Sequence, residues 1–383
     1  MSADANKILD KFTTVAQNPG NWINNWKAQT QKKVIGCFPM YVTEEIIHAA
    51  GLLPVYLLGS DEPIGLAANY FHQSVCHPIR SNLDAALRGQ LDFLDGLIIA
   101  DVCEQVKRGA DLWLLAKPTP FFFKLRLPGV LNASSHRSWL LQELGRLRSA
   151  LEHLTGSKIS DDSLRNSITI YNQHRSLLKD LYERRREGLL SLNLAQLEKI
   201  LIAAMFMPKE EHVELLFAYL KVKSSEPVAA GPRLLIWGNP CENLEPGLCE
   251  AIEAIGGVVV DDYIHTGARY FSSQLSQGAD PLEVLAATYT RSLPCPTKYS
   301  TEIDVGEHLL QLAHRSKAQG VIISIPKYCE IFASSYPRLK QALQKEGIPH
   351  LLLESDHSGA SAQIRTRVQA FVEILEANGA EEA

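Results

Sequence analysis

The sequence predicts an α/β protein in which two parallel-sheet regions flank a helical segment. Three observations carry that prediction. Short runs of buried-type residues alternate with amphipathic helical stretches from about residue 33 to 128, which is the pattern of βαβ units. Strand signals then vanish until about residue 224, where 3.6-residue periodicity alone remains. The alternation resumes after Ser224-Ser225-Glu226-Pro227-Val228-Ala229-Ala230-Gly231-Pro232, whose Pro, Gly and Ser content reads as a linker.

Taken in order, residues 1–30 form an N-terminal helical segment, amphipathic over 4–28 and broken by Pro19-Gly20. Residues 31–135 form the first α/β domain, with strands at Val34 to Phe38, Leu53 to Leu58, Gly96 to Ala100 and Pro120 to Leu125. Its helices are Glu44 to Ala50, Ile79 to Arg88 and Glu104 to Ala116. Residues 136–226 are the helical middle, including Asp161 to Glu187, whose charge-dense Tyr182-Glu183-Arg184-Arg185-Arg186-Glu187 run reads as a solvated face. Residues 230–383 form the second α/β domain. Its strands are Arg233 to Trp237, Gly257 to Asp261, Val321 to Ile325 and His350 to Glu354, with helices near 246–255, 281–290, 301–319, 336–346 and 360–377. The closing EANGAEEA should fray.

Composition narrows the function. The 383 residues are 46% hydrophobic, enough for a core in each of two or three domains. Thirty-eight Lys and Arg against 43 Asp and Glu give a net charge of −5, which leaves no positive excess for nucleic acid. The opening MSADANKILD lacks the basic and apolar runs of a signal peptide, and no stretch approaches the ~18 apolar residues of a bilayer span. A cytoplasmic protein is expected. Seven cysteines is an odd number, and a reducing cytosol leaves them as packing, metal ligands or catalysts.

Three segments share one layout: Gly96-Leu97-Ile98-Ile99-Ala100-Asp101-Val102-Cys103-Glu104, Leu234-Leu235-Ile236-Trp237-Gly238-Asn239-Pro240-Cys241-Glu242 and Gly320-Val321-Ile322-Ile323-Ser324-Ile325-Pro326-Lys327-Tyr328-Cys329-Glu330. In each a buried-type strand runs out and a Cys-Glu pair stands where a helix should begin. The carboxyl edge of a parallel sheet is where α/β proteins place ligand sites. Helix N-termini there favour thiolate, the form that ligates soft metals. Cys76, in Ser74-Val75-Cys76-His77-Pro78-Ile79-Arg80, also precedes a helix. Free cysteine is usually inert packing, and that reading suits Cys37 inside a strand and Cys249 on an apolar helix face. It is weaker for cysteines repeated at strand ends. No CxxC pair is present, so any metal site gathers ligands distant in sequence.

Several blocks together resemble the 2-hydroxyacyl-CoA dehydratase and benzoyl-CoA reductase family. They are Tyr41-Val42-Thr43-Glu44-Glu45-Ile46-Ile47-His48-Ala49-Ala50-Gly51-Leu52-Leu53-Pro54, the segments around Cys76, Cys103 and Cys329, the Asp261-Asp262-Tyr263 turn and Gln363-Ile364-Arg365-Thr366-Arg367. The resemblance runs from about residue 33 to the C-terminus. It implies two flavodoxin-like domains with helices between them, and a 4Fe-4S cluster held by Cys76, Cys103 and Cys329 with its fourth iron lacking a cysteine. The length, Gly238-Asn239-Pro240-Cys241-Glu242 and the acidic turn look most like the smaller cluster-bearing subunit of ATP-dependent benzoyl-CoA reductase. Thr43 stands where Pro is expected, and Cys103-Glu104 and Cys329-Glu330 replace Cys-Asp. Leu293-Pro294-Cys295-Pro296-Thr297-Lys298 resembles a region with extra cysteines in double-cubane relatives, so Cys295 and Cys241 are candidate further ligands; loop packing is the alternative for Cys295.

What the family implies is low-potential electron transfer to an aromatic CoA thioester through a ketyl radical, giving a cyclohexadiene-carbonyl-CoA. The partners implied are a second cluster-bearing subunit in a heterodimer and an ATP-hydrolysing activator. Glu104 and Glu330 could add negative charge beside the thiolates or simply cap helices. Glu45, His48 and His72 are candidate proton donors, although a lone His or Glu on a helix is more often structural. Arg80, Lys107, Arg269, Lys298 and Lys327 are candidates for CoA phosphates. The alternatives are a subunit of a 2-hydroxyacyl-CoA dehydratase, a double-cubane reductase of small molecules needing Cys241 or Cys295, and a pure electron relay.

Overall fold

The chain begins with α1 (Ala3–Gln17) and α2 (Pro19–Thr30) in a computed structural model. It describes residues 3–381 apart from 61, 132–133, 191, 223–229, 239–240, 242, 274, 276–277, 279, 291–293, 301, 303 and 358–361. Pro19 does not interrupt a helix but opens one. Its fixed φ and missing N–H suit the first helical position, and the Asn18 side chain accepts the Asn21 N–H at 3.2 Å.

The first sheet is built from β1 (Val34–Phe38), β2 (Leu53–Tyr56), β3 (Gly96–Asp101) and β4 (Phe122–Arg126), connected by α3 (Glu44–Ala49), α4 (His77–Leu87) and α5 (Glu104–Ala116). Its order is β2-β1-β3-β4, all parallel. Every residue of β1 and β2 is buried, as expected for parallel strands covered on both faces. Four helices follow: α6 (Ser134–Thr155), α7 (Asp161–Arg186), α8 (Leu194–Phe206) and α9 (Lys209–Lys221).

The second sheet contains β5 (Arg233–Gly238), β6 (Val258–Tyr263), β7 (Gly320–Pro326) and β8 (His350–Ser355). Around it lie α10 (Leu248–Ala254), α11 (Ala268–Phe271), α12 (Pro281–Thr290), α13 (Val305–Ser316), α14 (Glu330–Lys345) and α15 (Ala362–Glu381). The order β6-β5-β7-β8 is again all parallel and repeats the first. The α/β class with two flavodoxin-like parallel sheets is therefore observed. Each strand lies within two residues of its expected bounds, because buried parallel strands announce themselves as apolar runs. The helix expected from 336 instead starts at Glu330 and carries Pro337 inside it. The helix is longer than expected because Cys329 already supplies the N-cap. The linker expected at 224–232 lies mostly outside the described residues.

Helix α7 acts as a strut between the lobes. Near its start the Ser167 hydroxyl donates to the Glu45 carbonyl at 2.9 Å. Near its end Tyr182 donates to Asp262 Oδ2 at 2.6 Å. One contiguous apolar cluster runs from β1 and β3 through α6–α9 to β5 and α10, so the helical segment fixes how the two sheets meet.

Candidate functional site

The two sheets turn their carboxyl edges toward one crevice, and their shared strand order decides what lies there. In each lobe the chain reverses its direction of growth between the first and third strands, β1 and β3 in one, β5 and β7 in the other. Ligand crevices open at such switch points. Cys103 follows β3 and Cys329 follows β7, so they hold equivalent places in the two lobes.

Cys76, Cys103 and Cys329 are the N-cap residues of α4, α5 and α14. Cys76 is buried; Cys103 and Cys329 are half-buried. One side chain ties all three segments together. Gln105, two residues after Cys103, accepts the Cys76 backbone N–H at 2.7 Å and donates to the Tyr328 carbonyl at 3.1 Å. Tyr328 is in the left-handed region at φ 64°, a conformation that costs a non-glycine residue about 1 kcal/mol and turns the chain into Cys329.

Close approach of α4 and α5 depends on Gly109. A Cβ there would lie 2.4 Å from Ile79 Cγ1, so the absent side chain lets the two cysteine-bearing helices meet. Burial pushes the Cys103 thiol up, and N–H groups of Val106 and Gln105 pull it only partly back. The helix N-terminus alone does not make it a thiolate; desolvation of the charged form prevails.

Among the described residues no three His, Cys, Asp or Glu side chains converge to hold a single metal ion. Thiolates on a cubane bind different irons at separate corners, so they need a common cavity and not a common point. Three N-cap cysteines from two lobes, in segments tied together by Gln105 and with N–H donors on Cys103, are the donor set such a cluster would take. The residue pattern 39–375 matches the family of the 2-hydroxyglutaryl-CoA dehydratase D-component. This chain belongs to that family.

The dehydratase-family chain is 30% identical to the C subunit of benzoyl-CoA reductase from Thauera aromatica, over 91% of its length and 93% of the relative's. It is 28% identical to the (R)-phenyllactyl-CoA dehydratase beta subunit of Clostridium sporogenes, over 97% and 100%. The beta subunit of (R)-2-hydroxyglutaryl-CoA dehydratase from Acidaminococcus fermentans is 26% identical over 96% and 99%. No helix among the described residues is long and apolar enough to cross a membrane.

Beside the cysteines lies an open cleft of about 380 Å³, lined by His77, Arg80, Lys327, Tyr328, Asp356 and His357 among others. His77 and His357 stack across it, with ring centroids 4.6 Å apart and planes 2° from parallel. Lys327 pairs with Asp356 at 3.0 Å, and Arg80 donates to the Gln73 carbonyl at 3.1 Å. Lys107 instead pairs with Glu104 at 3.3 Å on the outside of α5, which directs that carboxylate toward solvent.

A second, smaller cavity of about 130 Å³ lies between the lobes at the ends of β1, β2 and β6. Here the structure places Glu45, buried and ion-paired with Arg175. Neighbouring Glu44 pairs with buried Lys209 at 2.9 Å and accepts from Tyr171 at 3.1 Å. The other two proton-donor candidates lie elsewhere. His48 bridges Ser167 and Glu210 at 2.9 and 3.0 Å on the helical side, and exposed His72 bonds Ser74 at 2.8 Å in its own loop.

Buried Cys295 takes a hydrogen bond from Arg269 Nη2 at 2.9 Å and lies 3.1 Å from Thr297 Oγ1. Burial pushes this thiol up, but the guanidinium and hydrogen bonds outweigh it and bring the pKa to about 7. Lys298 lies over the Tyr41 and Tyr289 rings at 5.4 and 5.6 Å. Cys241 is buried, and its neighbours Asn239, Pro240 and Glu242 lie outside the described residues. Cys37 and Cys249 are buried in β1 and α10, with thiols pushed up by burial. Sequence reasoning missed Gln105, Arg175 and His265. Gln105 carried a faint signal, its place in the Cys103 block.

Proposed function

We propose that the chain is a 4Fe-4S cluster subunit of an ATP-dependent benzoyl-CoA reductase-type complex. Cys76, Cys103 and Cys329 would hold the cluster. The supporting observation is the Gln105 bridge, which joins three segments that all carry N-cap cysteines at a switch-point crevice. When bound, the cluster supplies low-potential single electrons for a CoA thioester, with an open iron as a further binding position. The chain's own residues set the field: Gln105 and Val106 N–H groups lie on Cys103, and hydrogen bonds to sulfur would make a bound cluster easier to reduce. Family membership makes the chain an enzyme subunit, and its relatives are named as subunits, which supports a partner subunit; that this partner bears a second cluster and that an ATP-hydrolysing activator serves the pair belong to the proposal.

A second reading, a 2-hydroxyacyl-CoA dehydratase subunit, is favoured by the end-to-end match to the phenyllactyl-CoA dehydratase beta subunit. Both readings share the cluster and the thioester. They separate in one anaerobic experiment: co-purify the chain with its partner, measure iron, then supply activator, ATP and either benzoyl-CoA or a 2-hydroxyacyl-CoA. Ring reduction supports the first reading and water elimination the second. Full cluster loading with neither thioester consumed overturns both.

A further inference from the structure

The smaller cavity between the lobes holds polar groups that the protein itself leaves unanswered. His265 is 1% exposed and Arg269 is 7% exposed, and both line the cavity. Both ring nitrogens of His265, and Nε and Nη1 of Arg269, have no hydrogen-bond partner. Buried nitrogens without partners are costly and rare. Burial lowers His265 to about 3, so its neutral ring offers one N–H donor and one acceptor nitrogen; together with Nε and Nη1 of Arg269 that makes three unanswered donor nitrogens on two side chains of one cavity, which call for an occupant with acceptor oxygen. The other charges are already answered: Glu45 has Arg175 and Glu44 has Lys209. Arg269 Nη2 is spent on two sulfurs, Cys295 at 2.9 Å and Met40 at 3.2 Å, which leaves its Nε and Nη1 to an occupant.

Beyond these charged groups the wall is mainly tyrosine, completed by Met40, Val42, two serines and Thr288. Tyr41, Tyr56, Tyr263, Tyr270 and Tyr289 line the same space. Tyr56 meets His265 and Tyr270 edge-on at 5.2 and 5.7 Å, and Arg269 lies 4.8 Å from the Tyr263 ring centre. A cavity of about 130 Å³ is close to the roughly 150 Å³ that accommodates a benzene molecule. Tyrosine edges favour a flat ring, and a guanidinium with spare N–H groups favours an oxygen acceptor on it.

We propose that this cavity is a binding site, in this chain itself, for one six-membered aromatic ring bearing a carbonyl or carboxylate oxygen, with Arg269 and His265 as the residues that hold the oxygen. Taking that occupant as the acyl end of the substrate rests on the function proposed above. The ring site itself rests on the cavity.

The test uses the full-length chain, purified anaerobically, and calorimetric titration with sodium benzoate, benzamide, acetate and 2-naphthoate. Benzoate and benzamide should bind saturably at one site, whereas acetate is too small to fill the space and 2-naphthoate too large to enter. Arg269→Gln should weaken benzoate about tenfold or more, the usual consequence of losing a charged hydrogen bond. His265→Phe keeps the ring against Tyr56 and removes the hydrogen bond, so it should weaken both ring ligands severalfold with an unchanged circular dichroism spectrum. His265→Phe also decides the matter if Arg269→Gln does not fold. The proposal is overturned by no saturable binding, by equal affinity for all four compounds, or by variants that bind as the parent does. Iron content of the same preparations reports separately on the cluster, so failure of the ring site and failure of the cluster reading are distinguishable.

Discussion

Gln105 of the first lobe donates its side-chain amide to the backbone carbonyl of Tyr328 in the second, 223 residues away, at 3.1 Å. The same side chain accepts from Cys76, so a single rotamer holds three cysteine segments in register. Replacing Gln105 with Ala should leave the Cys76 amide and the Tyr328 carbonyl without this partner. Stability should fall by about 1–3 kcal/mol, and iron should be lost to a chelator faster than from the parent. Gln105→Glu should be worse, because its carboxylate can accept from Cys76 but cannot donate to Tyr328.

Cysteine replacement separates ligands from packing. Cys76→Ser, Cys103→Ser and Cys329→Ser should each abolish most bound iron in anaerobic preparations, measured colorimetrically and by visible absorption. Cys37→Ser and Cys249→Ser should retain it. Retention of iron in all three of the first set would overturn the cluster assignment.

Gly109 sets the separation of α4 and α5. Alanine is the better helix former by about 1 kcal/mol, yet its Cβ would meet Ile79 Cγ1 at 2.4 Å. Overpacking prevails, and Gly109→Ala should destabilise the chain by about 1–3 kcal/mol. Adding Ile79→Ala should recover part of that loss, giving a double mutant more stable than the sum of the single effects. Urea unfolding reads both.

The Glu44–Lys209 pair is almost fully buried, at 7% and 1% side-chain exposure. Lys209→Met should cost about 3–5 kcal/mol, since it strands a carboxylate away from water. The double change Lys209→Met and Glu44→Gln should recover much of it, because no buried charge then remains unpaired.

Acid should loosen the fold through its buried histidines. Burial lowers His212 to about 3 and pushes His174, 3.1 Å from it, well below the ordinary value. Unfolded histidine takes up its proton near pH ~6.5, so between there and about 3 the unfolded chain binds more protons. Stability from this pair is complete above pH ~6.5 and lost as pH falls. Asp262 acts in the opposite sense. Burial raises it to about 6, so its contribution declines as pH rises from ~4 toward 6. His212→Gln should flatten the acid limb of a melting-temperature profile, and Asp262→Asn should remove the opposing slope.

The sequence by itself determined the α/β class, the eight strands and the placing of Cys103 and Cys329 where strands give way to helices. Buried parallel strands are apolar runs, and helix starts carry local caps, so both are written in neighbouring residues. Tertiary structure alone decided which side chains meet. Glu45 and His48 are three residues apart on α3, yet one enters the interlobe cavity beside Arg175 and the other meets Glu210 on the helical side. Gln105 reaches Tyr328, and Arg269 reaches Cys295 and Met40, because α7 fixes one lobe against the other through Ser167 and Tyr182. Periodicity reports which face of an element is apolar. It carries no information about the orientation of one sheet relative to another, and the site is made at that junction.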